Sequence, residues 1–263
     1  MSILVVGDPH TEPNQSLERF DILGEFIVKH KPETIIMMGD FLTLDSLSDY
    51  DRGKPGKLEG RRLSAELHAG YDAILRTEGP MREYNLSQKK KKGKQYHPTK
   101  VYLEGNHEYR WKRYLDVHPE MKDTLYIYEQ IGLYDYDPWN IIKFREYYGM
   151  TDIQFTHIPM NSINRPISGV RVVQTALAMH DDSVVFGHTH NLEYASNTRL
   201  WVDKGRRIFA LNCGWFGEDI PEYAVGSYGS SNWWSGLVVL ERSGLNMYDI
   251  NTYSMEKLRR GNF

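Results

Sequence analysis

The sequence predicts an α/β fold in which a mixed sheet carries packed helices and is closed by antiparallel strands. Three observations predict it. Short β-rich runs alternate with segments of helical period. Five of those runs break off into polar residues at their C-terminal ends, four of them through a glycine. The last part of the chain turns hairpin-like. No repeat or long linker interrupts the pattern, so one domain over residues 1–263 is the expectation.

In chain order, "SILVV" (2–6) is the first strand. "SLERFDILGEFIVKH" (16–30) repeats apolar residues at helical spacing through Leu17, Phe20, Leu23, Phe26 and Ile27. "ETIIMM" (33–38) is the second strand, and a helix over 59–78 carries a stripe of Leu63, Leu67, Tyr71, Ile74 and Leu75. "SQKKKKGKQYHPTK" (87–100) predicts a solvated loop, with a nucleic-acid contact as its alternative. Geometry weakens that alternative. The Lys89 to Lys94 run feeds the start of "KVYLE" (100–104), about 17 Å from the far end of that strand. A helix over 109–118, a strand over 152–158, a helix over 168–180 with Ser168 as N-cap and a strand over 183–187 follow. "RLWVDKGRRIFALNC" and "WWSGLVVLE" make hairpins, with "DKG" and "RSG" as turns.

Composition narrows the function classes. A formal net charge of -3 excludes a surface built broadly for sequence-blind nucleic-acid binding, but not a local basic patch. Cys213 is the single cysteine, so no internal disulfide is possible, and it reads as a small buried residue. No apolar run approaches the ~20 residues of a membrane span. "MSILVVGDPH" lacks the basic start and cleavage site of a secretory leader, which makes a cytoplasmic location the default expectation.

The chemistry lies where the strands end. "ILVVGDPH" ends on Asp8 and His10, "TIIMMGD" on Asp40, and "VYLEGNHE" on Asn106, His107 and Glu108. "IQFTH" ends on His157, and "VVFGHTH" on His188 and His190. Singly, each motif reads as an ordinary turn, and His157 as a satisfied strand-end histidine. Their joint occurrence defeats that reading: in an open α/β sheet, ligands bind beyond the carboxyl ends of the strands. Carboxylates, imidazoles and one amide without a thiolate suit manganese, iron, zinc or nickel, with magnesium also compatible. Of these nine groups, seven taken as donors exceed the needs of one ion. They fit two divalent cations about 3.5–4 Å apart, an arrangement suited to displacement at phosphorus.

"GDPH … GD … GNHE … H … GHTH" resembles the calcineurin-like metallophosphoesterases, in particular compact single-domain members of the kind bacteriophages carry. The likeness covers residues 3 to about 190. It implies a β-sandwich flanked by helices. It also implies one metal on Asp8, His10 and His190, a second on Asn106, His157 and His188, and Asp40 bridging both. A hydroxide between the metals would attack phosphorus. His107 would protonate the departing oxygen, with Glu108 orienting its imidazole where many relatives carry aspartate.

Reaction class is firmer than substrate. The first reading is a phosphodiesterase acting on nucleic acid or nucleotide diesters, a nuclease among its forms. In it Arg110, Trp111 and Arg113 start at the rim of the pocket, and Tyr50, Arg52 and Lys54 reach substrate from the loop after Asp40. The second is a phosphomonoesterase for nucleotides, phosphoproteins or small metabolites. The third is a catalytically inactive binding module with the same fold. Trp233 and Trp234 are either a further wall of the site or core. No membrane partner and no obligate protein partner is expected.

Overall fold

The computed structural model describes residues 1–199, 205–218 and 232–263. Two sheets face each other. The first joins β1 (Ser2–Val6), β2 (Thr34–Met37), β3 (Thr99–Leu103) and β4 (Asn140–Ile142) in parallel. The antiparallel pair β10 (Gly236–Gly244) and β11 (Met247–Ser254) then adds outside β1. The second sheet has β5 (Tyr148–Gly149), β6 (Ile153–Thr156), β7 (Ser183–Phe186), β9 (Arg206–Cys213) and β8 (Leu192–Arg199) in that spatial order.

Strands β1, β2 and β3 are apolar without alternation because both faces are covered. Ile3, Val5, Ile36, Val101 and Leu103 point to the second sheet and meet Ile153, Phe155, Val185 and Leu211. Leu4, Val6, Ile35, Met37 and Tyr102 point the other way, under α1 (Glu18–His30) and α3 (Leu63–Lys91). A short helix, α2 (Pro55–Leu58), lies before α3. Burying each such aliphatic or aromatic side chain stabilises by roughly 1.5–3 kcal/mol. Truncating Phe155, fully buried between the sheets, to alanine would cost about 3–5 kcal/mol.

Helices α4 (Glu108–Val117) and α5 (Ile127–Gln130) follow β3, and α6 (Val172–Met179) lays Val172, Val173 and Ala176 on Val184, Phe186 and Ala210 of the second sheet. The short α7 (Met255–Arg259) ends the chain, capped by Ser254. The layering is helix, sheet, sheet, helix, which is the flanked sandwich the resemblance implied. Cys213 is buried between the sheets as a free thiol. Among the described residues no helix is long and apolar enough to cross a membrane.

Three sequence expectations need correction. The helix expected to stop before Gly79–Pro80 runs on to Lys91, so Lys89, Lys90 and Lys91 form its last turn rather than a loop. Proline removes one helical hydrogen bond, and packing against α1 offsets the loss. At Gly24 of α1 an added Cβ would meet the Pro80 ring at 2.9 Å and the Arg76 carbonyl at 2.8 Å. The lysines also suit the negative end of the helix dipole. Secondly, α6 begins at Val172 and Ser168 does not cap it. Thirdly, "RSG" is strand and bulge, the turn falling at Leu245 and Asn246, where Asn246 takes φ 55°. Asp203 and Lys204 of the "DKG" turn lie outside the described residues.

Candidate metal centre

The parallel register of β1, β2 and β3, and of β6 and β7, puts the carboxyl ends of five strands at one end of the sandwich. Asp8, His10, Asp40, Asn106, His107, Glu108, His157, His188 and His190 all leave from those ends. Two glycines let the turns close on one another. A Cβ at Gly105 would run into Asp40 Oδ1, and one at Gly187 would lie 2.5 Å from Asp8 Oδ1. Backbone strain collects here too. Asp8, His10, Asp40, His188 and His190 all take positive φ, at 27°, 46°, 47°, 70° and 62°. Such conformations cost of order 1–3 kcal/mol each and persist only where the surroundings impose them.

The side chains converge. Asp40 Oδ2 lies 3.3 Å from His157 Nε2 and 3.9 Å from Nε2 of both His10 and His107. His10 and His190 approach Nε2 to Nε2 at 3.1 Å, and His190 Nε2 is 3.3 Å from Asp8 Oδ2. Asn106 Oδ1 sits 3.0 Å from His157 Nε2. Two trios have ligand atoms within 4.8 Å of one another: His10, Asp40 and His107, and Asp40, His157 and His188. Asp40 belongs to both. Among the described residues the buried Asp8 Oδ1 has no hydrogen-bond partner, as expected of a carboxylate oxygen arranged for a cation. His157 Nδ1 donates to the Met38 carbonyl at 2.8 Å, which turns its Nε2 lone pair inward.

The Glu108 carboxylate makes no hydrogen bond to the His107 ring it was expected to orient. The carboxylate accepts the amides of Asp40 at 3.0 Å, Leu42 at 3.0 Å and Gly105 at 2.8 Å, and the Tyr102 hydroxyl at 3.0 Å. At the first residue of α4 its side chain turns under the Asp40 loop. The His107 ring is held instead by the Thr43 carbonyl, 2.7 Å from Nδ1, with Arg110 Nη2 3.4 Å from Nε2.

Electrostatics follow from this crowding. Burial pushes the Asp8 and Asp40 carboxyls up, but the surrounding imidazoles together outweigh it, His157 with His190 at Asp8 and His157 with His107 and His10 at Asp40, and hold both below the usual carboxylate range. Burial works against a charged His157, yet Asp40 and Asp8 raise its pKa well above the ordinary value. Burial lowers His10, helped by His107, and lowers His107 against the pull of Asp40. Glu108 is pushed up to about 7 by burial and by Asp40, with the Leu42 and Gly105 amides opposing.

The outer residues divide. Arg110 reaches the cluster but is also bound, to the Thr43 carbonyl at 2.9 Å and Asp45 at 2.7 Å. Arg113 pairs with Asp49 at 2.5 Å. Tyr50 is 84% exposed with Lys54 Nζ 3.8 Å over its ring, and nothing among the described residues joins it or Arg52 to the cluster. Trp111, expected at the rim, packs inward, edge to face with Tyr128 at 5.4 Å. Sequence reasoning missed Thr43, Asp45 and Trp215. A backbone carbonyl leaves no signal in a sequence, whereas the aromatic Trp215 two residues beyond the strand-end Cys213 did leave one. Trp215 stacks on His190 at 5.5 Å and 17°. Of the two tryptophans left open, Trp234 packs in the inter-sheet core and Trp233 lies against His190. "GSYGSS" (226–231) beside them lies outside the described residues.

Comparison with known proteins bears on this geometry. The family model described as calcineurin-like phosphoesterase matches residues 1–192. A search of curated proteins finds no match. Solved structures that match include one crystal structure at 13% identity and TM-score 0.42, covering 96% of this chain and 98% of that one. TT1561 of Thermus thermophilus is similar at 9% identity and TM-score 0.37, covering 95% and 98%.

Proposed function

The chain belongs to the calcineurin-like phosphoesterase family, and from that premise we propose a phosphodiesterase dependent on two divalent cations, acting on nucleic acid or nucleotide diesters. The observation that carries the two-cation reading is Asp40, whose Oδ2 faces three imidazole nitrogens at once. In this reading Asp8, His10 and His190 would hold one cation and Asn106, His157 and His188 the other, with Asp40 available to both. Manganese is the first expectation. When bound, the cations supply Lewis acidity, lowering the pKa of water and offsetting the charge of the phosphate.

The protein's own groups do the rest. Met38 and Thr43 fix the tautomers of His157 and His107 through their Nδ1 atoms. His107 Nε2 faces the cluster and donates a proton to the departing oxygen, Asp40 favouring the protonated ring against the burial that lowers its pKa. Arg110, one turn along α4, contacts a substrate phosphate when it leaves Asp45. Glu108 positions the Asp40 loop. The reading takes residues 1–263 as one domain, because β10 completes the sheet that β1 begins.

The test is turnover of bis(p-nitrophenyl) phosphate, p-nitrophenyl phosphate and single-stranded DNA by protein loaded with manganese. Diester cleavage is expected. Monoester turnover alone would replace this reading with a phosphomonoesterase, and protein that takes up no metal would make it a binding module.

A further inference from the structure

We propose that Trp233 is a stacking platform for the nucleobase of a nucleoside phosphate bound beside His190. The inference rests on the phosphoesterase reading and names the substrate class its rim selects.

The backbone delivers Trp233 to that place. Trp233 forms an isolated antiparallel bridge with Asn191, and the Trp234 amide donates to the His190 carbonyl at 2.9 Å. On the other side, the Trp215 amide donates to the Trp234 carbonyl and the Gly236 amide to the Trp215 carbonyl, both at 3.0 Å. Residues 233–236 are thus stitched between the turn that carries His190 and the loop that carries Trp215. A ring mounted this way keeps its position without substrate, so little ordering entropy opposes stacking.

The three rings have different duties. Trp215, only 4% exposed, lies parallel to the His190 imidazole and backs it. Trp233 meets the same imidazole edge to face at 4.2 Å and 77°, and meets Trp215 at 5.1 Å. Trp234, itself only partly buried, packs against the core between the sheets. Trp215 backs the face of the His190 ring, so Trp233 is not its sole support. Yet Trp233 stays partly exposed, one ring away from a group whose Nε2 faces Asp8 and His10. An indole half open to solvent at the edge of a phosphate site matches a base attached to that phosphate. Stacking tolerates any base, so the platform separates nucleotides from simple phosphate esters rather than one base from another.

The test is calorimetric binding of thymidine 5′-monophosphate and methyl phosphate to the manganese-loaded full chain, as wild type, Trp233→Leu and Trp233→Phe. Wild type is expected to prefer the nucleotide by about 5- to 150-fold, the range of one base–aromatic stack. Trp233→Leu is expected to lose that preference with methyl phosphate binding unchanged, and Trp233→Phe to keep a reduced preference. The proposal is overturned if wild type shows no preference, if either variant retains all of it, or if both ligands weaken together. Should the leucine variant fail to fold, the phenylalanine variant decides by the same comparison. Because binding is read without turnover, a protein that cleaves no diester yet shows the preference would remove the diester reading and leave the platform standing.

Discussion

Glu108 grips the backbone of Asp40: its Oε2 accepts the Asp40 amide at 3.0 Å, and no hydrogen bond joins it to the adjacent His107 ring. A carboxylate surrounded by three amides and a hydroxyl is a splint for the loop that presents Asp40. Glu108→Gln turns an amide NH2 toward backbone donors and leaves one unpaired, at a cost of about 1–3 kcal/mol. Thermal denaturation should show the loss with and without manganese, and metal content should fall. A variant of normal stability whose defect appeared only with poor leaving groups would return Glu108 to the imidazole.

Asp40→Ala removes the one carboxylate shared by both trios of donors. Activity should be abolished and metal lost from both positions, as read by elemental analysis of the purified protein. Retention of two equivalents would contradict a shared ligand.

His107→Ala should keep both cations and lose most turnover, least with p-nitrophenol-like leaving groups that need no proton. General acids contribute about 10²- to 10⁴-fold. Rates compared across leaving groups of different pKa check this, and a uniform loss would sink the proton-donor role.

His188 takes φ 70°. Replacing it with glycine removes a side chain from a left-handed backbone, so His188→Gly should stabilise the chelator-treated protein by about 1–3 kcal/mol while weakening manganese binding. Urea unfolding in EDTA measures the first effect. Equal or lower stability of the variant would show that the turn carries no strain.

His30 stacks on Phe26 at 4.1 Å, and burial, then Lys29, lowers its pKa below 6.5. The folded state therefore favours the neutral ring. This contribution is complete above pH 6.5 and is lost as pH falls through the lowered value. His30→Gln should flatten the decline of melting temperature below pH 6.5, and identical slopes would refute the linkage.

What the sequence disclosed and what it hid have physical causes. The strands β1, β2, β3, β6 and β7 were legible because burial on both faces demands unbroken apolar runs. The polar residues after them were legible because motif glycines mark where turns crowd together, as Gly105 does on Asp40. The continuation of α3 through Pro80 was not, since it depends on Gly24 of another helix. The true partners of Glu108 were hidden because they are main-chain amides, identical at every position of the chain. The split of Trp233 from Trp234 was hidden because adjacent residues of an extended segment face opposite ways, and the sequence alone does not say which way is in.

The placement of β10 against β1 bears on how the polypeptide is made. Strand β1 gains its second neighbour only after residues 236–244 have been synthesised. Likewise β7 waits for β9. A nascent or truncated product ending near residue 192, where the family match ends, would carry every motif histidine and carboxylate yet leave both sheets with raw edges. Such a fragment is expected to aggregate, and screens that trim this protein to its recognisable motifs would discard the part that lets them assemble.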